Sequence, residues 1–261
     1  MIGFLLRKTF YDLWDNLFKI VVLNLGVFAC SAIVFIPAFI PGIFGSNAMV
    51  IIFSIIGIFV TSIYLAAVSR AIKPISDYGT FTFGEFLKAF KSAWPAGIVM
   101  GIFVLILFYI ISEVFRFYLF DFEPQLLGLA ITAVIFWITI YAVISFQYFF
   151  SVVIRLGPAL FKSIKKCMLI SLDNTGLSIF LIFNNIIAFV LSVFFAFMFP
   201  GPAGILLYLD EALRLRLLKY DWLEENPEAN RRKIPWDAIL IEERERTGTR
   251  TLRNFIFPWK D

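Results

Sequence analysis

The sequence predicts an all-α membrane protein, a polytopic bundle of about six transmembrane helices with cytoplasmic interfacial helices and a short cytoplasmic C-terminal tail. Composition is the first reason, because 61% of the 261 residues are hydrophobic and only 16% are charged. Soluble domains average roughly 45–50% apolar and about 25% charged residues, so lipid must solvate the excess apolar surface. Spacing is the second reason, because charged residues are missing from four long stretches: between Lys19 and Arg70, Lys91 and Glu113, Glu123 and Arg155, and Asp173 and Asp210.

These uncharged stretches divide into five spanning segments, since a helix needs about 20 apolar residues to cross the hydrocarbon layer. The segments cover approximately residues 20–40, 49–68, 95–111, 126–154 and 177–199. The fourth is long enough to tilt or to project beyond the bilayer. Residues 1–18 and 81–93 are amphipathic, and we expect each to form a separate helix along the membrane surface before the next span.

The distribution of Lys and Arg predicts the orientation, because short basic loops stay in the cytoplasm. Basic residues cluster before the first segment, after the second and after the fourth, whereas the opposite side carries only Arg116. The N-terminus is therefore predicted to be cytoplasmic. Five crossings would leave the C-terminus outside, yet a strongly basic region follows the fifth segment, beginning with Arg214 and Arg216.

A sixth crossing resolves this conflict and returns the C-terminus to the cytoplasm. Its material is residues 203–218, which at ~1.5 Å per residue reach only about 24 Å. Such a helix would carry Asp210 and Glu211 below the membrane surface. If the Pro-Gly-Pro turn before it lies inside the bilayer instead, the same carboxylates lie near the cytoplasmic mouth. Residues 1–220 then form the membrane domain and residues 221–261 the tail.

The residue types argue against enzyme chemistry. The chain contains no His, which removes the commonest proton shuttle and transition-metal ligand. Its two cysteines, Cys30 and Cys167, fall in different segments, so neither a disulfide nor a metal site is expected. No HExxH or GxSxG motif is present. We therefore expect no cofactor and a non-enzymatic protein.

Three stretches on the cytoplasmic side begin alike: KTFYDLW from Lys8, KAFKSAW from Lys88 and KCMLISL from Lys166. Each has large apolar residues two and six positions after the Lys and leads into a spanning segment. The six crossings then form three hairpins that repeat in parallel, with any symmetry axis along the membrane normal. Chance similarity between amphipathic helices is the alternative.

The sequence resembles the YesL-like family of small bacterial membrane proteins. The resemblance covers roughly residues 7 to 220 and is carried by LFKIVVLNLGVF at 17–28, FGEFLKAFKSAW at 83–94 and FFSVVIRLGPALFKSIKKCMLISLDNTG at 149–176. It implies a six-helix protein of the bacterial inner membrane, in a family linked with carbohydrate uptake but without an established activity. The tail departs from the family pattern.

Asp210, Glu211 and Arg214 are the first candidate site. Charged groups at membrane depth are costly and persist mainly when paired or lining a polar path. Asp210 and Arg214 are four residues apart, so one helical turn could pair them. The alternative is that the membrane ends near Leu209 and the three residues form a solvated interface.

Buried amides are the second candidate: Asn24 in the first segment and the adjacent Asn184 and Asn185 in the fifth. Asn side chains hydrogen-bond between membrane helices, which makes structural packing the default interpretation and a ligand contact the alternative.

The tail is the third candidate. Pro235 is expected to begin a helix that reaches about Arg246, with Trp236 on its apolar face. The final residues interleave basic and aromatic side chains, an arrangement suited to a membrane surface or a partner protein rather than nucleic acid. The residues expected to dock are Trp236, Arg250, Arg253, Phe255, Phe257 and Trp259.

These features support two functional hypotheses. The first is an accessory or regulatory protein of a bacterial transport system for carbohydrates, bound through its cytoplasmic helices and tail to transporter subunits. The second is a transporter or channel for small solutes that uses a polar path near Asp210 and Glu211. Intramembrane enzyme chemistry has the least support, because no nucleophile and base are paired in the sequence.

Overall fold

The computed structural model describes residues 1–36, 47–157, 159–231 and 233–248. Within these ranges the regular structure is entirely helical, without a strand. Five helical stretches in the described part of the chain are long and apolar enough to cross a membrane: Leu17–Phe35, Ala48–Ser76, Phe83–Asp121, Gln125–Phe146 and Thr175–Phe194. The prediction of an all-α membrane bundle is confirmed. The proposed docking residues Arg250, Arg253, Phe255, Phe257 and Trp259 lie outside the described residues.

The first unit is an amphipathic helix followed by a span. Helix α1 covers Ile2–Asp15 and α2 covers Leu17–Ala32, with a short 3-10 turn continuing to Phe35. The two helices are separated by Asn16, whose side-chain amide donates to the Asp12 carbonyl at 3.0 Å. Helix α3, Asn47–Ser76, then packs against α2.

The interfacial helix expected at residues 81–93 is not separate from the next span. One helix, α4, runs through Phe83–Tyr109 with Pro95 inside it, and π-helical turns extend it to Asp121. Thr82 and Glu85 form a capping box that fixes its start. Contacts with α3 favour the continuous helix: Gly97 packs against Ile63 and Gly101 against Phe59, with no room for a Cβ.

The predicted fourth segment, residues 126–154, is also corrected. It is two helices, α5 (Gln125–Phe146) and α6 (Phe149–Leu156), because the chain turns at Gln147 and Tyr148. The Gln147 amide donates to the carbonyls of Ile144 and Ser178, which holds this turn against the following unit.

The next unit has the same organisation as the first. Helix α7 covers Leu160–Asp173 and α8 covers Thr175–Phe194, and Asn174 separates them. The Asn174 amide donates to the carbonyl four residues earlier at 3.1 Å, as the amide does at the first break. The likeness between the first and third predicted repeats therefore extends to a shared Asp-Asn pair at the helix junction, whereas the second repeat lies in the continuous α4.

The last long helix, α9, covers Gly201–Glu225 and contains more buried residues than any other helix of the described structure. It runs antiparallel to α8, as two hydrogen bonds near opposite ends of the pair demonstrate: the backbone N–H of Gly201 donates to Ser192 Oγ at 2.9 Å, and Asn174 Nδ2 donates to Tyr220 OH at 2.6 Å. Its charged residues keep it outside the five stretches apolar enough to span, so a sixth crossing stays a prediction.

Two short helices follow, α10 (Trp236–Ile239) and α11 (Ile241–Thr247), in place of the single tail helix predicted from Pro235 to Arg246. Leu240 at the break is fully buried against the bundle. Arg7 of α1 donates to the carbonyl of Gly248 at 3.3 Å. The beginning and the end of the described chain therefore lie at the same end of the bundle.

Candidate functional site

The end of the bundle that holds both ends of the described chain also contains a network of charged side chains, which we call the ionic cluster. Its three cations and five carboxylates come from α1, the end of α3, α6, α9 and α11, so it joins helices that are far apart in sequence. Its members are Lys8, Asp12, Asp77, Arg155, Asp210, Glu211, Arg214 and Glu243.

Asp210 is paired with Arg155. The guanidinium donates from Nε to Oδ1 at 2.8 Å and from Nη2 to Oδ2 at 2.5 Å, and it also reaches Asp77 and the Ser76 hydroxyl. Burial by itself would lower the pKa of Arg155, but the hydrogen bonds and charge of Asp210 outweigh it, so the net shift is upward. The Arg155 guanidinium is therefore charged despite its burial.

Glu211 is paired with α1. Lys8 lies 3.2 Å from Glu211 Oε1 and 2.5 Å from Asp12 Oδ2, so two carboxylates share one ammonium group. Thr9 donates to Glu211 Oε2 at 2.5 Å. Burial alone would lower the pKa of Lys8, but the charges of Glu211 and Asp12 raise it above the ordinary value. Lys8 is thus a charged ammonium despite being only 1% exposed.

The tail is held by Arg214. Its guanidinium donates to both carboxylate oxygens of Glu243, at 2.8 and 2.7 Å, and lies 3.3 Å from Asp77. Tyr78 donates to Glu243 at 2.8 Å, while its ring faces Arg214 at 5.0 Å and Lys8 at 4.4 Å. Helix α11 is therefore bound to the bundle through a buried carboxylate.

Two expectations about this site are wrong. The predicted pair between Asp210 and Arg214 does not form. Asp210 instead makes a bidentate pair with Arg155, and Arg214 makes one with Glu243. The solvated interface is excluded as well, since Asp210 and Glu211 are 2% and 1% exposed. Sequence reasoning identified these carboxylates and missed their partners, whose sequence separations leave no local signal.

Asn24 organises the turn between α8 and α9. Its amide nitrogen donates to the carbonyls of Met198 and Pro200, and its oxygen accepts from the backbone N–H of Ala203. Gly201 has φ +63° and packs so tightly on this amide that a Cβ would collide with it. Asn24 is therefore packed against the protein backbone rather than available to a ligand.

This contact also locates the turn. The rise from Leu17 to Asn24 is roughly 10 Å, and the same span continues for roughly 17 Å to Phe35. The turn before α9 thus lies partway along the first span rather than beyond its far end. From this turn α9 extends toward the end of α3, and its Asp210 and Glu211 lie at the level of Ser76, the last residue of α3.

Asn184 and Asn185 line a different feature, a cavity of about 270 Å³ between α1, α8 and α9. They do not reach the ionic cluster in the described structure. A larger polar cavity, about 580 Å³, opens beside the cluster and is lined by Asp12, Lys19 and Tyr78, among others.

Trp236 does not present a free docking side chain. It packs against the core, and the guanidinium of Arg216 on α9 lies 5.4 Å from its ring. Its observed role is to hold α10 on the bundle.

The geometry therefore shows a site of paired charges. No protein-family model, curated protein or solved structure matches this chain. The resemblance to the YesL-like family stays a prediction, and function has to be argued from the site.

Proposed function

We propose that this protein is a non-enzymatic accessory subunit of a bacterial transport system for carbohydrates, located in the inner membrane with both termini in the cytoplasm. The ionic cluster is the observation that carries the proposal. It connects α1, α6 and α11, none of which belongs to a candidate span, into one layer at a single end of the bundle. A layer of this kind suits the binding of a transporter subunit.

The charge distribution supports an accessory role over transport by this chain. The buried charged side chains of the described residues are Lys8, Asp210, Glu211, Lys219 and Glu243. Four of them belong to the ionic cluster, and Lys219 lies further along α9, where it pairs with Asp173. They are paired with protein groups. A path for a polar solute would need charged or polar groups along the whole span, whereas the ionic cluster lies at a single end of the bundle.

Co-purification in mild detergent tests the proposal. We expect the full chain to retain a transporter subunit, identified by mass spectrometry, and a form ending at residue 220 to lose it. Glu243→Ala, which releases the tail from Arg214, should reduce retention, whereas Glu242→Ala on the exposed side of the same helix should not. Failure of the full chain to retain any transporter subunit would contradict the proposal.

The transporter hypothesis has its own test in proteoliposomes. It requires Asp210→Asn and Glu211→Gln to change solute flux. An accessory protein shows no flux with or without these substitutions.

A further inference from the structure

The cavity between α1, α8 and α9 has an apolar wall with two unsatisfied polar atoms. Its apolar lining comes mainly from Leu6, Phe10, Leu13, Leu191, Phe199 and Ile205. Tyr208 and Asn185 belong to this lining, and the hydroxyl of Tyr208 and Oδ1 of Asn185 are buried without a hydrogen-bond partner among the described residues. Tyr208 is only 4% exposed.

Unsatisfied polar groups in such a place are costly. A buried donor or acceptor without a partner costs about 1–3 kcal/mol, so native proteins rarely retain one without a reason. Tyr208 can donate and Asn185 Oδ1 can only accept. One hydroxyl group on a ligand would satisfy both atoms, because it can accept a hydrogen bond from Tyr208 and donate one to Asn185.

The remaining wall indicates what else the ligand carries. The cavity holds about 270 Å³, far above the ~30 Å³ of one water molecule, and water needs two to four polar partners. Among the described lining residues the only other hydroxyl is that of Thr9, which already bonds Glu211 and a backbone carbonyl. The lining residues are all uncharged in the described structure, which disfavours a phosphate or an ammonium group.

The surface around the cavity indicates where such a ligand would come from. Leu6 and Leu191 at the cavity are 41% and 46% exposed, and the outer face of α8 beside them is a continuous apolar surface that includes Phe183 and Ile187. On the other side, Tyr208 is one helical turn from Glu211 in the ionic cluster. The cavity therefore lies between the apolar surface of α8 and the ionic cluster, a position that suits a lipid with a small polar head group.

We propose that this cavity binds a neutral lipid with one free hydroxyl group, of the diacylglycerol class, with the hydroxyl between Tyr208 and Asn185 and the acyl chains along α8. The site is independent of the accessory function proposed above. It uses Asn184 and Asn185 on α8 as part of a ligand site, which sequence analysis left open.

Binding of radiolabelled dioctanoylglycerol to the purified full chain in detergent tests the site. The matched ligand is the same lipid with its hydroxyl acetylated, which keeps the chains and removes the donor. We expect the acetylated lipid to bind about three- to tenfold more weakly, the factor for loss of one neutral hydrogen bond. Tyr208→Phe and Asn185→Leu should each weaken the binding of dioctanoylglycerol by a similar factor.

Tyr141→Phe is the control variant, because it removes a hydroxyl that donates to the Met168 carbonyl away from this cavity. It should leave binding unchanged. Equal binding of the two lipids would overturn the proposal, as would unchanged affinity in both cavity variants at an unchanged melting temperature. Equally tight binding of dioctanoylphosphatidylglycerol would also overturn it, since the cavity would then not select a neutral head group.

Discussion

Arg155 and Asp210, which are 55 residues apart in the sequence, form a bidentate ion pair with Nε–Oδ1 and Nη2–Oδ2 distances of 2.8 and 2.5 Å. The guanidinium plane matches the carboxylate geometry, which makes this type of pair both strong and specific in direction. It ties the short helix after the fourth span to α9.

Loss of Arg155 should destabilise the protein because it leaves a buried, unpaired Asp210. We expect Arg155→Met to reduce the free energy of unfolding by about 3–5 kcal/mol, the range for breaking a buried pair. Arg155→Met combined with Asp210→Leu should recover much of this loss, since no isolated charge remains. The melting temperature in mild detergent measures both effects.

A surface pair provides the control for this comparison. Arg244 and Asp237 are 2.7 Å apart, but their side chains are 51% and 92% exposed. Arg244→Met should therefore change the free energy of unfolding by roughly 0–1 kcal/mol. Equal shifts in Arg155→Met and Arg244→Met would contradict a buried ionic cluster.

Glu243 should determine whether α11 stays on the bundle. Glu243→Gln keeps the side-chain volume and removes the charge that pairs with Arg214, so the tail should detach more often. We expect faster trypsin cleavage after Arg231 and Lys233, in the segment before α10, measured by mass spectrometry over time. Glu242→Gln, on the exposed side of the same helix, should leave the cleavage rate unchanged.

Asn24 should contribute to stability through the turn before α9. Asn24→Leu removes three hydrogen bonds and leaves the buried N–H of Ala203 and two carbonyls without their partner. The expected loss is about 1–3 kcal/mol or more, seen as a lower melting temperature. Ser31→Ala is the control, since Ser31 bonds only the Val27 carbonyl of its own helix. A stable Asn24→Leu protein would show that this turn does not depend on the amide.

Asp173 should make stability depend on pH in the acid range. Burial by itself raises the pKa of Asp173, but hydrogen bonds from Lys219 and Tyr220 outweigh it, so the pKa lies below the ordinary 3.8. Such a carboxylate stabilises the fold above its unfolded pKa, and the contribution is lost as the pH falls through the folded value.

The wild-type protein should therefore melt at a higher temperature than Asp173→Asn at neutral pH, and the difference should shrink below about pH 4. Melting temperatures of both proteins between about pH 3 and 7 measure it. Asp237→Asn, which removes a 92% exposed carboxylate, controls for the loss of one surface charge. A difference that grows on acidification would contradict the interpretation.

Local sequence patterns predicted the spans well but predicted the boundaries between helices poorly. The apolar windows place all five spans because transfer of a long apolar helix into lipid depends on its own residues. The sequence around Pro95 and after Ile144 does not predict the observed helix boundaries, because a helix can continue or break according to the neighbours that satisfy its backbone. Thus α4 continues on α3 through Gly97 and Gly101, and α5 ends where Gln147 bonds Ser178.

The amino-acid pattern by itself predicted a helical membrane protein and its approximate spans, and it singled out Asp210, Glu211 and Asn24 as polar residues in or beside apolar stretches. Each of these depends on hydrophobicity or on the cost of a polar group in an apolar layer, and both are properties of a short stretch of chain. Only the tertiary structure decided which charges pair, because Lys8, Arg155 and Glu243 are each at least 29 residues along the chain from their partner on α9. Ion pairing depends on distances of a few ångströms, and only packing of the helices sets those distances.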